Sequence, residues 1–257
     1  MRIQVLLATM NQEDHSILDK VNIQTDAIVG NQCDYNKIEE FTYKGHKIKW
    51  LSLCERGVGL NRNNALMRAD ADVVLFSDDD MVYIDGYESV VRNAFSELPD
   101  ADIIIFDLKY PNNDRKPITK KKRVGLRGCT RFGAARFAVR LSKARLKGIS
   151  FNLCFGGGAQ YSSGEDSLFL RECLKHKLKV YTYPYIIASL QDERASTWFE
   201  GYNDKFFYDK GVVFSLMNPQ ICYFTSIFHC FKERKRYMDY GWFNAWKQML
   251  KGIQSVG

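Results

Sequence analysis

The sequence predicts an α/β fold with a mostly parallel, doubly wound sheet flanked by helices, and a helical extension at the C-terminus. Short apolar runs alternate with segments of helical spacing through the first 108 residues, the run 73–76 is followed by Ser77 and three aspartates, and residues 212–231 contain no Asp, Glu, Lys or Arg. Alternating strands and helices are typical of parallel sheets, in which ligands bind beyond the carboxyl ends of the strands.

The first half of the chain supplies most of the predicted sheet. Strands are expected at 3–8, 26–30, 48–53, 73–76 and 103–108, and helices at 14–21, 61–68 and 86–98. In the second half we expect a strand near 132–139, a helix beginning near Glu165 and a strand at 179–183. The glycine triplet at 156–158 lacks the Lys and Ser/Thr of a phosphate-binding P-loop, so we interpret it as a flexible loop that closes over a ligand.

Composition narrows the class of protein. Hydrophobic residues at 46% and charged residues at 26% of 257 positions are typical of a globular chain. The seven cysteines are odd in number and never spaced as CxxC, which argues against a disulfide framework and against a zinc site. A reducing compartment follows, and the short apolar run at the N-terminus lacks the length of a signal peptide. We therefore expect a cytoplasmic protein.

Charge is distributed unevenly along the chain. Residues 1–108 hold 10 Lys/Arg against 19 Asp/Glu, whereas residues 109–147 hold 14 Lys/Arg against one acid, Asp114. Such a basic block indicates a phosphorylated partner, an anionic membrane surface or nucleic acid, and a merely solvated face is the alternative. Because no nucleic-acid-binding module is recognisable, we expect no nucleic-acid partner. The run 120–123 would attract a lipid diphosphate or an anionic bilayer.

The three aspartates after the strand 73–76 form a candidate metal site. Asp78, Asp79 and Asp80 crowd one loop, where their mutual repulsion is costly without a cation. Hard oxygen ligands select Mg²⁺ or Mn²⁺. Acidic loop residues that only face water or cap a helix are the alternative. Their place at the functional edge of the predicted sheet favours the metal site.

The C-terminal segment is predicted to form packed helices. The uncharged stretch 212–231 has the length of a membrane span, but Asn218, Pro219, Gln220 and His229 argue against one. We expect two packed helices broken near Pro219. The tail 232–251 interleaves Lys and Arg with aromatic residues, as interfacial amphipathic helices do, and core packing of those aromatics is the alternative.

Several motifs, in order, resemble the inverting family 2 glycosyltransferases of the GT-A fold. The aspartate triplet resembles that family's metal-binding motif, and Gly57–Asn63, which reads GVGLNRN, is similar to its glycine-plus-Arg-Asn segment. Gly164–Asp166, which reads GED, resembles its acceptor-side Glu-Asp pair. Residues 196–199 (STWF) and 208–211 (YDKG) are similar to a segment found in members that build bacterial capsule and lipopolysaccharide sugars.

The resemblance implies a metal-dependent, inverting transfer of a sugar from a nucleotide diphosphate sugar, expected to be a UDP-sugar, to a hydroxyl of a glycan. It also implies that the acceptor is linked to a lipid diphosphate and that the enzyme works in polysaccharide biosynthesis, in contact with the inner face of the plasma membrane. Asp166 would be the general base, with its pKa held low by the helix dipole. Glu165 and Trp198 would contact the acceptor.

On the donor side, the resemblance places Thr9, Asn31, Arg62, Asp78 and Asp79 around the nucleotide, with Arg62 facing the base or ribose. Asp78 and Asp80 would hold Mn²⁺ or Mg²⁺. Two positions depart from the family pattern. Asn31 stands where an aspartate usually faces the uracil, and residues 177–228 contain no histidine, so that Gln191 or Asp192 is offered to the metal instead.

The resemblance also divides the chain. It implies a GT-A domain over 1–211, with a nucleotide-sugar-binding half at 1–108 and an acceptor-binding half at 109–211. A helical extension follows at 212–257, and the cations and aromatic residues of its tail indicate that it associates with the membrane. Two other functions stay open: a sugar-nucleotide nucleotidyltransferase and a catalytically silent nucleotide-sugar-binding protein. The former would carry a glycine- and arginine-containing loop where this chain has residues 10–13 (MNQE), and the latter would not need both Asp80 and Asp166.

Overall fold

The computed structural model describes residues 1–111, 116–191 and 199–256. Its strands are β1 (Ile3–Met10), β2 (Asp26–Gln32), β3 (Lys37–Tyr43), β4 (His46–Leu53), β5 (Val73–Asp78), β6 (Met81–Tyr83), β7 (Ile103–Lys109), β8 (Lys122–Arg123), β9 (Phe137–Arg140) and β10 (Val180–Leu190). Its α-helices are α1 (Ile17–Lys20), α2 (Val58–Arg68), α3 (Tyr87–Glu97), α4 (Leu141–Leu146), α5 (Glu165–Lys175), α6 (Asp204–Met217), α7 (Cys222–Lys232) and α8 (Trp242–Gln254). Two 3₁₀ turns, Leu126–Arg131 and Ala134–Arg136, precede β9.

One sheet joins the strands in the order β3-β4-β2-β1-β5-β9-β7-β10-β6, with β8 on β10. The pairs β4·β2, β2·β1, β1·β5 and β7·β10 are parallel. Since β9 is antiparallel to both β5 and β7, these two strands run in the same direction. The carboxyl ends of β1, β2, β5 and β10 therefore meet at one edge. The predicted α/β class with a mostly parallel sheet is confirmed.

The antiparallel strands were not predicted as such. β3 forms a hairpin with β4 through the turn at Lys44 and Gly45, and it was missed because its side chains are exposed or half-buried, whereas β4 buries four of its eight residues. The strand expected near 132–139 contains only residues 137–140, because 3₁₀ turns occupy the residues before it. Periodicity cannot give strand direction, since an antiparallel strand buried on both faces is as apolar as a parallel one.

Side chains that alternate along the strands supply two cores, one on each face of the sheet. In β1, Val5 and Leu7 pack with α1 and α3, whereas Leu6 points to the opposite face with Phe76 of β5. That second face is covered by α2, α4 and α5. The helices that bear the expected Arg-Asn and Glu-Asp motifs therefore lie side by side on one face of the sheet.

The C-terminal helices form a third cluster around Phe207. α6 ends at Met217 and α7 begins at Cys222, so the predicted break near Pro219 is confirmed. α6 and α8 pack at very short range, because a Cβ on Gly211 would lie 2.1 Å from the carbonyl oxygen of Met249. Among residues 1–111, 116–191 and 199–256, none of the helices combines the length and apolar character needed to cross a bilayer.

The basic block of residues 109–147 serves two different purposes in the described part of the chain. Arg136 is buried and pairs with Asp107 at 2.6 Å, and Arg140 donates to the carbonyl oxygen of Ala101 at 2.8 Å. These arginines hold the fold together. Lys120 and Lys122, in contrast, are exposed at the surface beside β8. Asp114 lies outside the described residues.

Candidate active site

The aspartate triplet lies at the carboxyl edge of the sheet. Asp78 is the last residue of β5 and stands in register with Ala8 of β1, while Asp79 and Asp80 form the turn to β6. The end of β10 reaches the same turn, because the backbone N–H of Gln191 donates to the carbonyl oxygen of Asp80 at 2.8 Å. The end of β5, the start of β6 and the end of β10 thus border the acidic turn, and β1 runs beside β5.

Arg62 is the centre of the candidate site. From α2 its Nη2 donates to Oδ1 of Asp78 at 2.8 Å, and its Nη1 donates to Oδ1 of Asp166 at 2.8 Å and to Oε1 of Glu165 at 3.2 Å. Its side chain is only 4% exposed, and its guanidinium lies 5.3 Å from the ring centre of Phe151. We call Arg62, Asp78, Glu165 and Asp166 the Arg62 cluster. It joins the aspartate motif to the Glu-Asp pair.

Local backbone geometry brings the Glu-Asp pair to Arg62. α5 begins after Gly164, whose φ of +118° is a conformation that residues with a Cβ rarely adopt. The carboxylate of Glu165 packs against Gly156, where a Cβ would lie 2.9 Å from its carboxyl carbon. The glycine loop is in turn fastened to α2, because the N–H of Val58 donates to the carbonyl oxygen of Gly157 at 2.9 Å. The loop forms a wall of the site.

Asn63, the last residue of the expected Arg-Asn motif, was given no separate role from the sequence, yet it locks the same region. Its amide nitrogen donates to the carbonyl oxygen of Phe151 at 2.9 Å, and its Oδ1 accepts from the N–H of Phe151 at 2.8 Å. The ring of Phe151 packs against the guanidinium of Arg62. Asn63 thereby fixes the apolar side of the Arg62 cluster, and nothing in the sequence pairs it with a residue 88 positions away.

Two carboxyl groups of the cluster, those of Glu165 and Asp166, have raised pKa values. Burial is the main cause for Glu165, and the neighbouring Asp166 adds to it, so that its pKa rises to about 7. Burial also raises the pKa of Asp166, although Arg62 opposes the shift. The expectation that the helix dipole holds this pKa low was wrong, because desolvation outweighs the dipole. Burial lowers the pKa of Arg62, but the carboxylates Asp78, Asp166 and Glu165 outweigh it and raise the net value.

On the other side of the acidic turn, Thr9 contacts Asp79. The hydroxyl of Thr9 donates to Oδ2 of Asp79 at 2.8 Å and accepts from the amide of Gln12 at 2.9 Å. Asn31 is fully buried, and its amide both donates to and accepts from the backbone of Gln12 at 3.0 Å. Asn31 therefore holds the loop after β1. The side chain of Asn31 thus binds the protein backbone, whereas the expected contact was with the nucleotide base.

The contacts of Arg62 also differ from those expected. It was expected to face the base or ribose, but both Nη atoms donate to carboxylates and the side chain is buried. The reason is electrostatic, since three acidic side chains surround one cation. Trp198 and Asp192 lie outside the described residues, so the structure places neither.

The acidic turn offers oxygen ligands of the kind that Mg²⁺ and Mn²⁺ prefer. Asp80 is exposed, and Asp78 gives one of its two carboxylate oxygens to Arg62. Within the parts of the chain that the structure describes, no three His, Cys, Asp or Glu side chains form a group able to hold a metal. The side-chain oxygens that this turn could offer to a cation are those of Asp80 and the second carboxylate oxygen of Asp78.

No protein-family model matches the sequence, and no curated protein matches it. Solved structures do. TarS of S. aureus, a glycosyltransferase, gives a TM-score of 0.62 at 17% identity in its 1–349 form in complex with UDP-GlcNAc, covering 84% of this chain and 66% of that one. The UDP complex of the same form gives a TM-score of 0.61 at 18% identity, covering 86% of this chain and 65% of that one.

A longer form of TarS gives a TM-score of 0.61 at 18% identity, and the match covers 86% of this chain and 40% of that one. This chain thus spans slightly less than two thirds of the shorter form. At these identities the likeness is one of fold, so the chain shares the α/β fold of these TarS structures.

Proposed function

We propose that this protein is a metal-dependent inverting glycosyltransferase of family 2 type, with a nucleotide diphosphate sugar as donor and a glycan hydroxyl as acceptor. One observation carries the proposal: Arg62 joins Asp78, at the carboxyl end of β5, to Glu165 and Asp166, at the start of α5. In α/β sheets that edge binds ligands. A donor-side acid and an acceptor-side acid are thus held in one cluster.

The fold and the solved neighbour agree with a UDP-sugar donor, because TarS has been crystallised with UDP-GlcNAc and with UDP. Thr9 and Asp79 would lie on the nucleotide side of the acidic turn. Asn31 would act indirectly, by holding the loop at Gln12. Asp78 and Asp80 would hold Mn²⁺ or Mg²⁺, which when bound supplies positive charge to the departing diphosphate.

Asp166 is proposed as the general base. It accepts the proton of the acceptor hydroxyl while that oxygen bonds to the anomeric carbon, and the bond from this carbon to the diphosphate oxygen breaks. Attack from the face opposite the leaving group inverts the anomeric configuration. Arg62 would position the Asp166 carboxylate and keep it ionised despite its burial, and Glu165 and Trp198 would contact the acceptor.

The acceptor is proposed to be linked to a lipid diphosphate, in bacterial surface polysaccharide synthesis. The exposed cations at 120–123 support this part, because a diphosphate or an anionic lipid surface would attract them. Each such charge contributes about 1 kcal/mol near an anionic bilayer.

The released product distinguishes the function classes. Purified protein, Mn²⁺ and a panel of nucleotide sugars should yield free nucleoside diphosphate, by transfer or by slow hydrolysis. A nucleotidyltransferase would instead release pyrophosphate from a nucleoside triphosphate and a sugar phosphate. A silent binding protein would be stabilised by the donor, by about 2.7 kcal/mol at 100 times its Kd, without any product. Loss of nucleoside diphosphate release in Asp166→Asn would assign the activity to this site.

A further inference from the structure

Helix α7 turns a row of large apolar side chains outward. Ile221, just before its first residue, and Phe224, Phe228 and Phe231 are all exposed and recur at the three- and four-residue spacing of one helical face. Phe224 is 70% exposed and Phe228 is 60% exposed. The opposite face, with Cys222, Ser226 and Cys230, is buried. α7 is therefore amphipathic, with its aromatic side facing solvent.

The start of α8 extends this surface. The ring of Trp242 lies 6.3 Å from that of Phe231 at a right angle, and Phe243 lies 5.9 Å from Trp242. Both α8 residues are exposed. The following residues form what we call the α7 apolar face: Ile221, Tyr223, Phe224, Phe228, Phe231, Trp242 and Phe243. A contiguous exposed surface of this kind on a soluble domain marks an interaction site.

Cations border the α7 apolar face. Within residues 221–247 the sequence carries five Lys/Arg and two acids, and all five cations are exposed, namely Lys232, Arg234, Lys235, Arg236 and Lys247. Two of them contact its rings: the guanidinium of Arg234 lies 4.6 Å from the ring centre of Phe231, and Nζ of Lys247 lies 5.0 Å from that of Phe243. Positively charged side chains thus border the exposed apolar rings.

We infer that the α7 apolar face binds the surface of an anionic lipid bilayer. Aromatic side chains favour the boundary between headgroups and acyl chains, and the neighbouring Lys and Arg side chains would reach the anionic headgroups. The 11 residues of α7 extend about 16 Å, whereas the hydrocarbon core is about 30 Å thick, so the helix lies along the surface. The surface combines the exposed side of α7 with Trp242, Phe243 and the cations of the tail that the sequence had indicated.

A second copy of the chain fits this face less well. A twofold contact would place the same residues of both copies against each other, and with them Lys232, Arg234 and Lys235. Like charges brought together at an interface oppose association. An anionic bilayer neutralises these cations. The inference does not rest on the reaction proposed above, because vesicle binding is measured without donor or acceptor.

The test is co-sedimentation of the purified chain with vesicles of phosphatidylcholine alone and of phosphatidylcholine with phosphatidylglycerol, at low and high NaCl. The wild-type chain should bind the anionic vesicles, and less at high salt. The double variant Phe224→Ser/Phe228→Ser should lower the partition coefficient at least tenfold. Its control is Met67→Ser/Leu146→Ser, which removes apolar side chains of similar exposure, 66% and 77%, and should bind normally.

Fluorescence supplies a second readout at the surface itself. Trp242 lies within the α7 apolar face, so anionic vesicles should shift its emission to shorter wavelength. The shift should be missing in Trp242→Phe, which identifies the reporting residue. Equal melting temperatures of all variants check that they fold, since Phe224 and Phe228 are exposed side chains whose loss should not unfold the protein.

Three results would overturn the inference. One is vesicle binding that survives in Phe224→Ser/Phe228→Ser. Another is binding lost only in Lys120→Gln/Lys122→Gln, which would move the bilayer contact to the basic surface beside β8. The third is a concentration-dependent dimer that Phe224→Ser/Phe228→Ser dissociates, in a chain that binds no vesicle, which would assign the face to a second copy.

Discussion

Arg62 donates from Nη1 to Oδ1 of Asp166 at 2.8 Å, and this contact joins residues 104 positions apart in the sequence. The same guanidinium also holds Asp78 and Glu165. A single cation therefore holds three acidic groups drawn from two motifs in place.

Replacing Arg62 should destabilise the fold. Arg62→Met keeps the length of the side chain but leaves Asp78, Glu165 and Asp166 without their cation. Breaking a buried ion pair by removing one partner costs about 3 to 5 kcal/mol, so unfolding in urea should shift by that amount. Arg62→Lys keeps the charge but cannot donate from two nitrogens, and should lose less. Arg68→Met, on the same helix, should change stability little; an Arg62→Met variant as stable as wild type would contradict the arrangement.

Replacing Asp166 should slow chemistry without weakening donor binding. General bases contribute roughly a hundredfold to ten-thousandfold, so Asp166→Asn should raise the barrier by about 3 to 5 kcal/mol. The donor Kd should stay within a few fold. Glu172→Gln, which changes a half-exposed acid on the same helix, should transfer at the wild-type rate. Steady-state transfer and donor titration measure both quantities, and near-normal transfer by Asp166→Asn would point to Glu165 as the base.

Replacing Asp80 should remove the dependence on a divalent cation. Asp80 is exposed at the acidic turn, so Asp80→Ala should fold normally, and relief of carboxylate repulsion should offset lost contacts. We expect turnover to be abolished and Mn²⁺ no longer to strengthen donor binding in calorimetry. Asp34→Ala removes an exposed carboxylate elsewhere and should behave as wild type. Full activity of the wild-type chain in EDTA would disprove the metal requirement.

The C-terminal helices should lose stability as pH falls. His229 of α7 lies 2.9 Å from the hydroxyl of Tyr237, and burial, together with Lys210, Lys232 and Arg236, lowers its pKa to about 3. It stays neutral in the folded state while the unfolded chain takes up a proton below about pH 6.5. Stability is therefore present above that pH and is lost as pH falls towards 3.

Lowering the pH from 7.5 to 5.5 should therefore reduce the free energy of unfolding by about 1 kcal/mol through this histidine. Urea unfolding at the two pH values measures the change. His229→Gln should reduce the difference between them, whereas His176→Gln, at an exposed position just after α5, should leave it intact. An unchanged pH profile in His229→Gln would show that other groups govern it.

A methyl group at Gly211 should force α6 and α8 apart. Its Cβ would lie 2.1 Å from a backbone oxygen of Met249, and backbone cannot move as a flexible side chain can. Overpacking costs about 1 to 3 kcal/mol, and Gly211→Ala should reach at least that range. Gly125→Ala is the control, because nothing lies within 4 Å of its Cβ position and its φ is −111°. Equal melting temperatures for the two variants would rule out this close packing.

The order of strands and helices in the first 108 residues could be predicted from apolar periodicity, because each element buries its own face. The hairpin strand β3 could not, since its exposed side chains give little apolar signal. The pKa of Asp166 was predicted in the wrong direction for a related reason. The position of Asp166 at the start of a helix can be read from the sequence, whereas its burial by other segments of the chain cannot.

The α/β class, the acidic turn after β5 and the break between α6 and α7 could all be predicted, because they depend on local runs of apolar, acidic or uncharged residues. Three features could be seen only in the folded chain: Arg62 faces three carboxylates, Asn31 holds the loop at Gln12, and α7 turns its aromatic side outward. Burial and charge pairing depend on which distant segments meet, and periodicity within one segment carries no record of its partners.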